Sequence, residues 1–214
     1  MTAPRHSGNA AMAFRHAVAE PAANSPAGVL FLLHGTGGDE TSLLELGRAV
    51  APNHVLIGVR GRSDEEGVTR FFRRFDALRY DQAHLASEAD ALATFTLRAA
   101  EHYLAADMPR AALGYSNGAN VALAAELRAP GTFQRMALLR PVQPFTTPPA
   151  PDLTGLAALL LFGAADPYLQ AGQSLPALLA SLGATVEHAV LPAGHALNRE
   201  DLVRARAWFA GVSA

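Results

Sequence analysis

Ala111-Ala112-Leu113-Gly114-Tyr115-Ser116-Asn117-Gly118-Ala119 is the stretch on which the reading of this chain turns. A short apolar run leads into Gly-x-Ser-x-Gly, and Ala119 to Leu127 then carries a helical pattern. Strand, sharp turn and helix around one serine make the arrangement known as a nucleophile elbow. The spacing has a steric cause. The turn is so tight that side chains two residues to either side of the serine would collide, so glycine is required at both places. The turn lifts the serine oxygen out at the carboxyl edge of a sheet. It also sets Ser116 at the positive end of the following helix, where developing negative charge is favoured. The plainer reading is a helix N-cap serine between glycines. The strand before it and the helix after it weigh against that.

Outward from the elbow, nearly continuous apolar runs recur at Gly28 to His34, Val55 to Val59, Ala111 to Gly114 and Ala157 to Phe162. Such runs, bounded by turn residues, suit strands buried on both faces of a parallel sheet. Met136 to Leu139 and Thr185 to Leu191 complete the set, and Ala13 to Ala19 reads as an earlier, more exposed strand. Between them lie helical patterns. Ser42 with Glu45 reads as a capping box for a helix ending near Pro52. Gln82 to Leu104 is the longest, Asn117 to Arg128 stops before Pro130-Gly131, and Leu175 to Leu182 stops at Gly183. Arg199 to Phe209 closes the chain, capped by Asn198 with Asp201. Alternation of this kind predicts an α/β fold, a mostly parallel central sheet with helices on both faces. One domain over residues 1–214 is expected, with 1–10 as a loosely ordered tail. The Pro-rich stretch from Pro141 to Pro151 reads as a surface connection, too short for a cap domain.

A serine hydroxyl needs a base to take its proton, and the base needs an acid to orient it. In the elbow-bearing fold the chain order is Ser, then Asp or Glu, then His. His188 and His195 follow Ser116. His188 falls inside a strand pattern, whereas His195 lies in a loop between the last strand and the last helix, free to reach the serine. The acids on offer are Glu126, Asp152, Asp166 and Glu187. Asp166 follows the apolar run Leu159 to Phe162 and so sits at a strand's carboxyl end, where open α/β sheets build their sites. It could also be an ordinary turn aspartate before Pro167. The oxyanion of a tetrahedral intermediate needs two backbone donors. One is expected from Asn117, and the other from the loop His34-Gly35-Thr36-Gly37-Gly38. That glycine-rich loop departs from the dinucleotide fingerprint at Glu40 and lacks Gly-Lys-Ser/Thr, so no cofactor is expected.

Composition narrows the classes. At 214 residues the chain can bury roughly 70% of its unfolded surface without staples. A net charge of −2 gives no electrostatic ground for binding nucleic acid or an anionic membrane. The chain contains no cysteine, which excludes disulfides, thiolate metal sites and cysteine nucleophiles. No metal is expected, no apolar run is long enough to span a membrane, and the N-terminus lacks a signal-peptide pattern, so a cytoplasmic location is the expectation.

With these residues placed, the sequence resembles the phospholipase/carboxylesterase family of α/β-hydrolases, and most of all its small bacterial carboxylesterases. The resemblance runs from about Val29 to Phe209. It rests on Leu33-His34-Gly35-Thr36-Gly37-Gly38, Arg70-Phe71-Phe72-Arg73-Arg74, Gly114-Tyr115-Ser116-Asn117-Gly118-Ala119, Leu139-Arg140-Pro141, Gly163-x-x-Asp166-Pro167 and Gly194-His195. It implies an α/β-hydrolase fold and a triad of Ser116, Asp166 and His195. It also implies the N–H of Thr36 as the second oxyanion donor and hydrolysis of small carboxylic esters, with thioesterase or lysophospholipase action as the alternative using the same triad. Homodimers are frequent in the family. After the histidine the family usually reads x-Leu-Thr, and here Ala196-Leu197-Asn198 stands instead; asparagine caps a helix equally well. A non-catalytic ligand-binding member of the fold should have lost part of the triad. The Arg/Phe segment from Arg70 to Arg79 has three readings: surface packing, a nucleic-acid patch disfavoured by the net charge, or the substrate mouth. In the last, which the resemblance suggests, Arg70, Phe71, Phe72, Arg73 and Tyr115 are the candidate substrate contacts, and arginine there would favour acidic or polar groups.

Overall fold

The computed structural model describes residues 5–7, 12–22, 24–103 and 107–211. Its strands are β1 (Arg5–Ser7), β2 (His16–Ala19), β3 (Val29–Leu33), β4 (Val55–Val59), β5 (Ser63–Glu65), β6 (Val68–Arg70), β7 (Arg110–Tyr115), β8 (Arg135–Leu139), β9 (Ala157–Gly163) and β10 (Thr185–Leu191). Its helices are α1 (Leu44–Val50), α2 (Gln82–Tyr103), α3 (Asn117–Arg128), α4 (Leu169–Gly172), α5 (Leu175–Ser181) and α6 (Arg199–Phe209). Eight strands form one sheet in the order β1-β2-β4-β3-β7-β8-β9-β10. From β4 across to β10 every pairing is parallel, and β2 and β1 add an antiparallel edge.

The continuous apolar runs follow from burial on both faces. In β3, Val29, Phe31 and Leu33 point into one core with residues of α2, α3 and α5. Leu30 and Leu32 point into the other, with Leu44 and Val50 of α1 and Ala205 and Trp208 of α6. A strand clothed by helices on both sides has no wet face and shows no polar alternation. Helix α3 is buried along its length from Asn117 to Leu127, which matches its nearly all-apolar sequence. No separate cap domain is present among the described residues.

Several local expectations are corrected. The Ser42–Glu45 capping box does not form: α1 starts at Leu44, and no side chain caps it. Asp39 instead captures the N–H and hydroxyl of Thr41 and the hydroxyl of Ser42 in a local turn, so Ser42 is already engaged. The strand expected over Ala13 to Ala19 is shorter, His16–Ala19, and fully buried rather than more exposed: β1 pairs along its outer edge, Val18 packs into one core and Ala17 and Ala19 into the other. Of the stretch 1–10, residues 5–7 form β1 and the remainder lies outside the described residues. The Pro-rich connection is buried in its first half. Val142 and Phe145 are covered, Val142 donates its N–H to Asn120 Oδ1, and Gln82 Nε2 donates to the carbonyl of Pro144.

The sheet order places a site. The chain leaves β3 toward β4 and later returns to the other side of β3 as β7. That reversal opens a crevice at the carboxyl ends of β3 and β7, where ligands bind in open α/β sheets. The loop holding Thr36 follows β3, and Ser116 follows β7.

Candidate active site

Ser116 sits at φ 52°, ψ −114°, a conformation that L residues rarely adopt. The backbone is held there by the Ser116 N–H, which donates to Leu139 O at 2.8 Å, and by the Asn120 N–H, which donates to Ser116 O at 3.0 Å. The flanking glycines are required by contact. A Cβ on Gly118 would lie 2.0 Å from Leu33 O, and one on Gly114 would lie 2.7 Å from Ala119 Cα. Both obstacles are backbone, which cannot swing away. Gly118→Ala is therefore expected to destabilise the protein by about 3 kcal/mol or more, read as a fall in the urea midpoint. An unchanged midpoint would refute the close approach.

Asp166 follows β9, and His195 lies between β10 and α6. The two loops are stitched together: Ala164 N–H donates to Leu191 O at 2.8 Å and Ala165 N–H donates to Ala193 O at 2.9 Å. Gly163 lets them meet, since a Cβ there would stand 2.3 Å from Gly194 O. His195 Nδ1 then lies 2.9 Å from Asp166 Oδ2, and His195 Nε2 lies 2.9 Å from Ser116 Oγ. The other oxygen of Asp166 accepts the Tyr168 N–H at 2.9 Å. The Asp166 side chain is nearly buried while that of His195 is about one-third exposed. A carboxylate behind an imidazole that faces a hydroxyl is the set of groups that can take a proton from an attacking oxygen. His188 lies exposed on β10, away from this set.

Thr36, Ser116, Asn117 and His195 line one small cleft, with Arg74, Ala77, Leu78, Tyr80, Tyr168 and others. Neither the Thr36 nor the Asn117 N–H donates to a protein acceptor among the described residues. The Thr36 loop is braced by His34, whose Nδ1 lies 2.7 Å from Gly35 O and whose Nε2 accepts the Gly61 N–H at 3.0 Å. It is braced again by Gly37, whose N–H donates to Thr69 O at 2.8 Å. Other hollows lie beside Arg48 and His54 and along Glu65 and Asp76, and neither holds a nucleophile next to a base.

Burial holds His34 below its ordinary pKa, and it does the same to His16 and His54. The folded state keeps these rings neutral, whereas the unfolded chain takes up protons below about pH 6.5. Their stabilisation is thus complete above that pH and is lost as pH falls through the folded values. Thermal midpoints should drop between about pH 7 and pH 5. A flat profile there would contradict the burial.

The Arg/Phe segment is distributed differently from its expected grouping. Phe71 and Phe72 are fully buried, Phe71 tilted against His34 and Phe72 edge-on to Tyr80, with centroids 4.8 and 4.9 Å apart. Arg70 is buried against Glu65 at 3.7 Å, and Arg73 pairs with Asp81 at 2.9 Å. None of these four lines the cleft; Arg74 does. Tyr115 packs its ring 5.6 Å from that of His195 and donates its hydroxyl to His195 O at 3.1 Å. Two features escaped the sequence reading. The Asn117 side chain accepts the Phe71 N–H at 2.7 Å and so ties the elbow to the β5–β6 hairpin. Arg140, at positive φ of 54°, aims a fully buried guanidinium at the histidine loop. It donates to Gly194 O at 2.9 Å and Ala196 O at 3.4 Å, on either side of His195, and forms a fork with Asp201 at 2.7 and 2.9 Å. Its place in Leu139-Arg140-Pro141 was the only signal.

Among the described residues no group of three metal-ligating side chains is gathered, and no helix is long and apolar enough to cross a membrane. The chain matches no protein-family model. It is 34% identical over 183 residues to MhqD of Bacillus subtilis (strain 168), a protein named as a hydrolase, across 85% of this chain and 92% of that one. The carboxylesterase of Mesorhizobium loti superposes with a TM-score of 0.86 at 36% identity, covering 97% of this chain and 99% of that chain. The carboxylesterase of Bacillus cereus superposes with a TM-score of 0.87 at 30% identity, covering 95% of each. With the sheet, the elbow and these likenesses together, the chain is a hydrolase and belongs to the phospholipase/carboxylesterase family of α/β-hydrolases.

Proposed function

We propose that this protein is a serine carboxylesterase acting on small, soluble esters through Ser116, His195 and Asp166. The observation that carries the reading is His195, with one ring nitrogen 2.9 Å from Ser116 Oγ and the other 2.9 Å from Asp166 Oδ2. Ser116 Oγ attacks the ester carbonyl carbon as its proton passes to His195 Nε2. Asp166 holds Nδ1–H in place and stabilises the imidazolium. The N–H groups of Thr36 and Asn117 receive the oxyanion, helped by the positive end of α3. Collapse breaks the bond between the acyl carbon and the alkoxy oxygen, and the alcohol leaves with the proton from Nε2. Water, deprotonated by His195, then attacks the acyl-enzyme and releases the acid and Ser116.

Small soluble substrates are favoured by the modest cleft and by the connection between β8 and β9, residues 140–156, which carries no helix or inserted domain over the site. The direct test is a fluorophosphonate, which reports activation of the serine without knowledge of the substrate. One equivalent should add to Ser116, located by mass spectrometry, and none should add to Ser116→Ala. Absence of labelling, or a label elsewhere, would sink the reading. A panel of short esters, acyl thioesters and lysophospholipids distinguishes esterase from the other uses of the same triad. Preference for long-chain emulsions over short esters would contradict the substrate class.

A further inference from the structure

Two arginines line the cleft. The Arg140 guanidinium is already forked onto Asp201. The other is Arg74, half-buried at the rim. Its guanidinium has no ion pair or hydrogen bond among the described residues, although two carboxylates stand nearby. Each of those is committed elsewhere. Glu65 Oε2 takes Arg70 at 3.7 Å and the backbone N–H of Arg74 itself at 3.4 Å. Asp76 accepts the N–H groups of Leu78 and Arg79 at 3.0 and 2.8 Å and pairs with the Arg79 guanidinium at 3.3 Å. No aspartate or glutamate lines the cleft.

The backbone at Arg74 is pinned. Arg74 and Tyr80 form an antiparallel bridge, the Phe75 N–H donates to Arg79 O at 2.8 Å, and the Asp81 N–H donates to Arg73 O at 3.0 Å. Tyr80 in turn is buried against Phe72, and its hydroxyl accepts Asn120 Nδ2 at 3.2 Å. The rim therefore presents a guanidinium with no direct partner from a fixed base, beside the apolar side chains of Ala77 and Leu78, with Asp76 acting on it only at longer range from the adjoining hollow. A guanidinium in a partly desolvated cleft is suited to receive a carboxylate through two parallel hydrogen bonds.

We propose that Arg74 is the specificity-determining residue of the cleft and that the preferred substrates are esters carrying a carboxylate in addition to the ester group. This rests on the serine esterase reading above. The test uses matched pairs differing in one charge: 4-nitrophenyl butyrate against 4-nitrophenyl hemisuccinate for the acyl side, and phenyl acetate against 4-acetoxybenzoate for the alcohol side. The wild-type protein should favour the charged member of at least one pair in kcat/KM. Arg74→Gln should lower that charged-to-neutral ratio about tenfold or more, chiefly through KM, and Arg74→Glu should lower it further. Arg79→Gln removes an exposed, ion-paired rim charge outside the cleft and should leave the ratio within about twofold. No preference in the wild type, a ratio that survives Arg74→Gln, or an equal fall in Arg79→Gln would overturn the assignment. If the wild type hydrolyses neither member of either pair and takes no fluorophosphonate, the esterase reading itself falls. Turnover of both members without discrimination removes only the role of Arg74.

Discussion

Ser116→Ala should lower kcat/KM on any accepted ester by about 10⁴-fold or more, with the fold intact. On the proposed mechanism the loss is large because the substitution removes the atom that would form the acyl bond, the hydroxyl held 2.9 Å from His195 Nε2. The fold should survive because the change deletes one oxygen whose partner, His195 Nε2, can turn to water at a partly exposed position. Ser116→Gly gives a second, independent reading. Position 116 is held at positive φ, where any Cβ is strained by about 1–3 kcal/mol. Glycine should therefore be as inactive as alanine yet more stable than alanine, with a higher thermal midpoint. Equal midpoints would show that the elbow stores no strain. Residual activity within tenfold of wild type in either variant would remove Ser116 from the chemistry.

Arg140→Ala should have the largest effect on stability of any substitution outside the hydrophobic core, about 3–5 kcal/mol. The cost comes from the partner left behind. Asp201 is almost wholly buried, and losing Arg140 leaves its carboxylate with only the Asn198 N–H, at 2.8 Å. For a chain of this size that corresponds to a fall of about 10 °C in thermal midpoint. Activity measured well below that midpoint should also fall, because the carbonyls of Gly194 and Ala196 lose the donor that sets the position of His195. Arg140→Lys keeps the charge but cannot form the fork or span both carbonyls. It should recover part of the stability and little of the activity. A lysine variant with full kcat would make Arg140 a structural ion pair and nothing more.

The elements that could be read without coordinates share one property: their signal is local and periodic. The runs of β3, β4, β7 and β9 are apolar because helices cover both faces of the sheet, and α3 is apolar because it is buried all round. The capping box at Asn198 and Asp201 was legible because both halves lie within one helical turn, and it forms as expected. The same pattern at Ser42 failed because Asp39, three residues upstream, offers its carboxylate first. The β5–β6 hairpin went unseen. Its turn puts Glu66 and Gly67 at positive φ, and glutamate is not a residue that announces such a turn.

The order Ser116, Asp166, His195 along the chain, each at the carboxyl end of a strand pattern, came from the sequence by itself, because strand ends and turn glycines leave marks on neighbouring residues. Which arginines face the cleft could not come that way. Arg70, Arg73 and Arg74 look alike as letters, and only the register of the hairpin and the bridge from Arg74 to Tyr80 turn one into the crevice and the others onto Glu65 and Asp81. The same holds for Phe71 and Phe72, which pack inward. It holds also for Arg140, whose partner Asp201 is remote in the chain and adjacent only once β8, β9 and α6 have packed. Local patterning sets where elements begin and end; contacts between residues distant in sequence depend on three-dimensional register, which leaves no periodic trace.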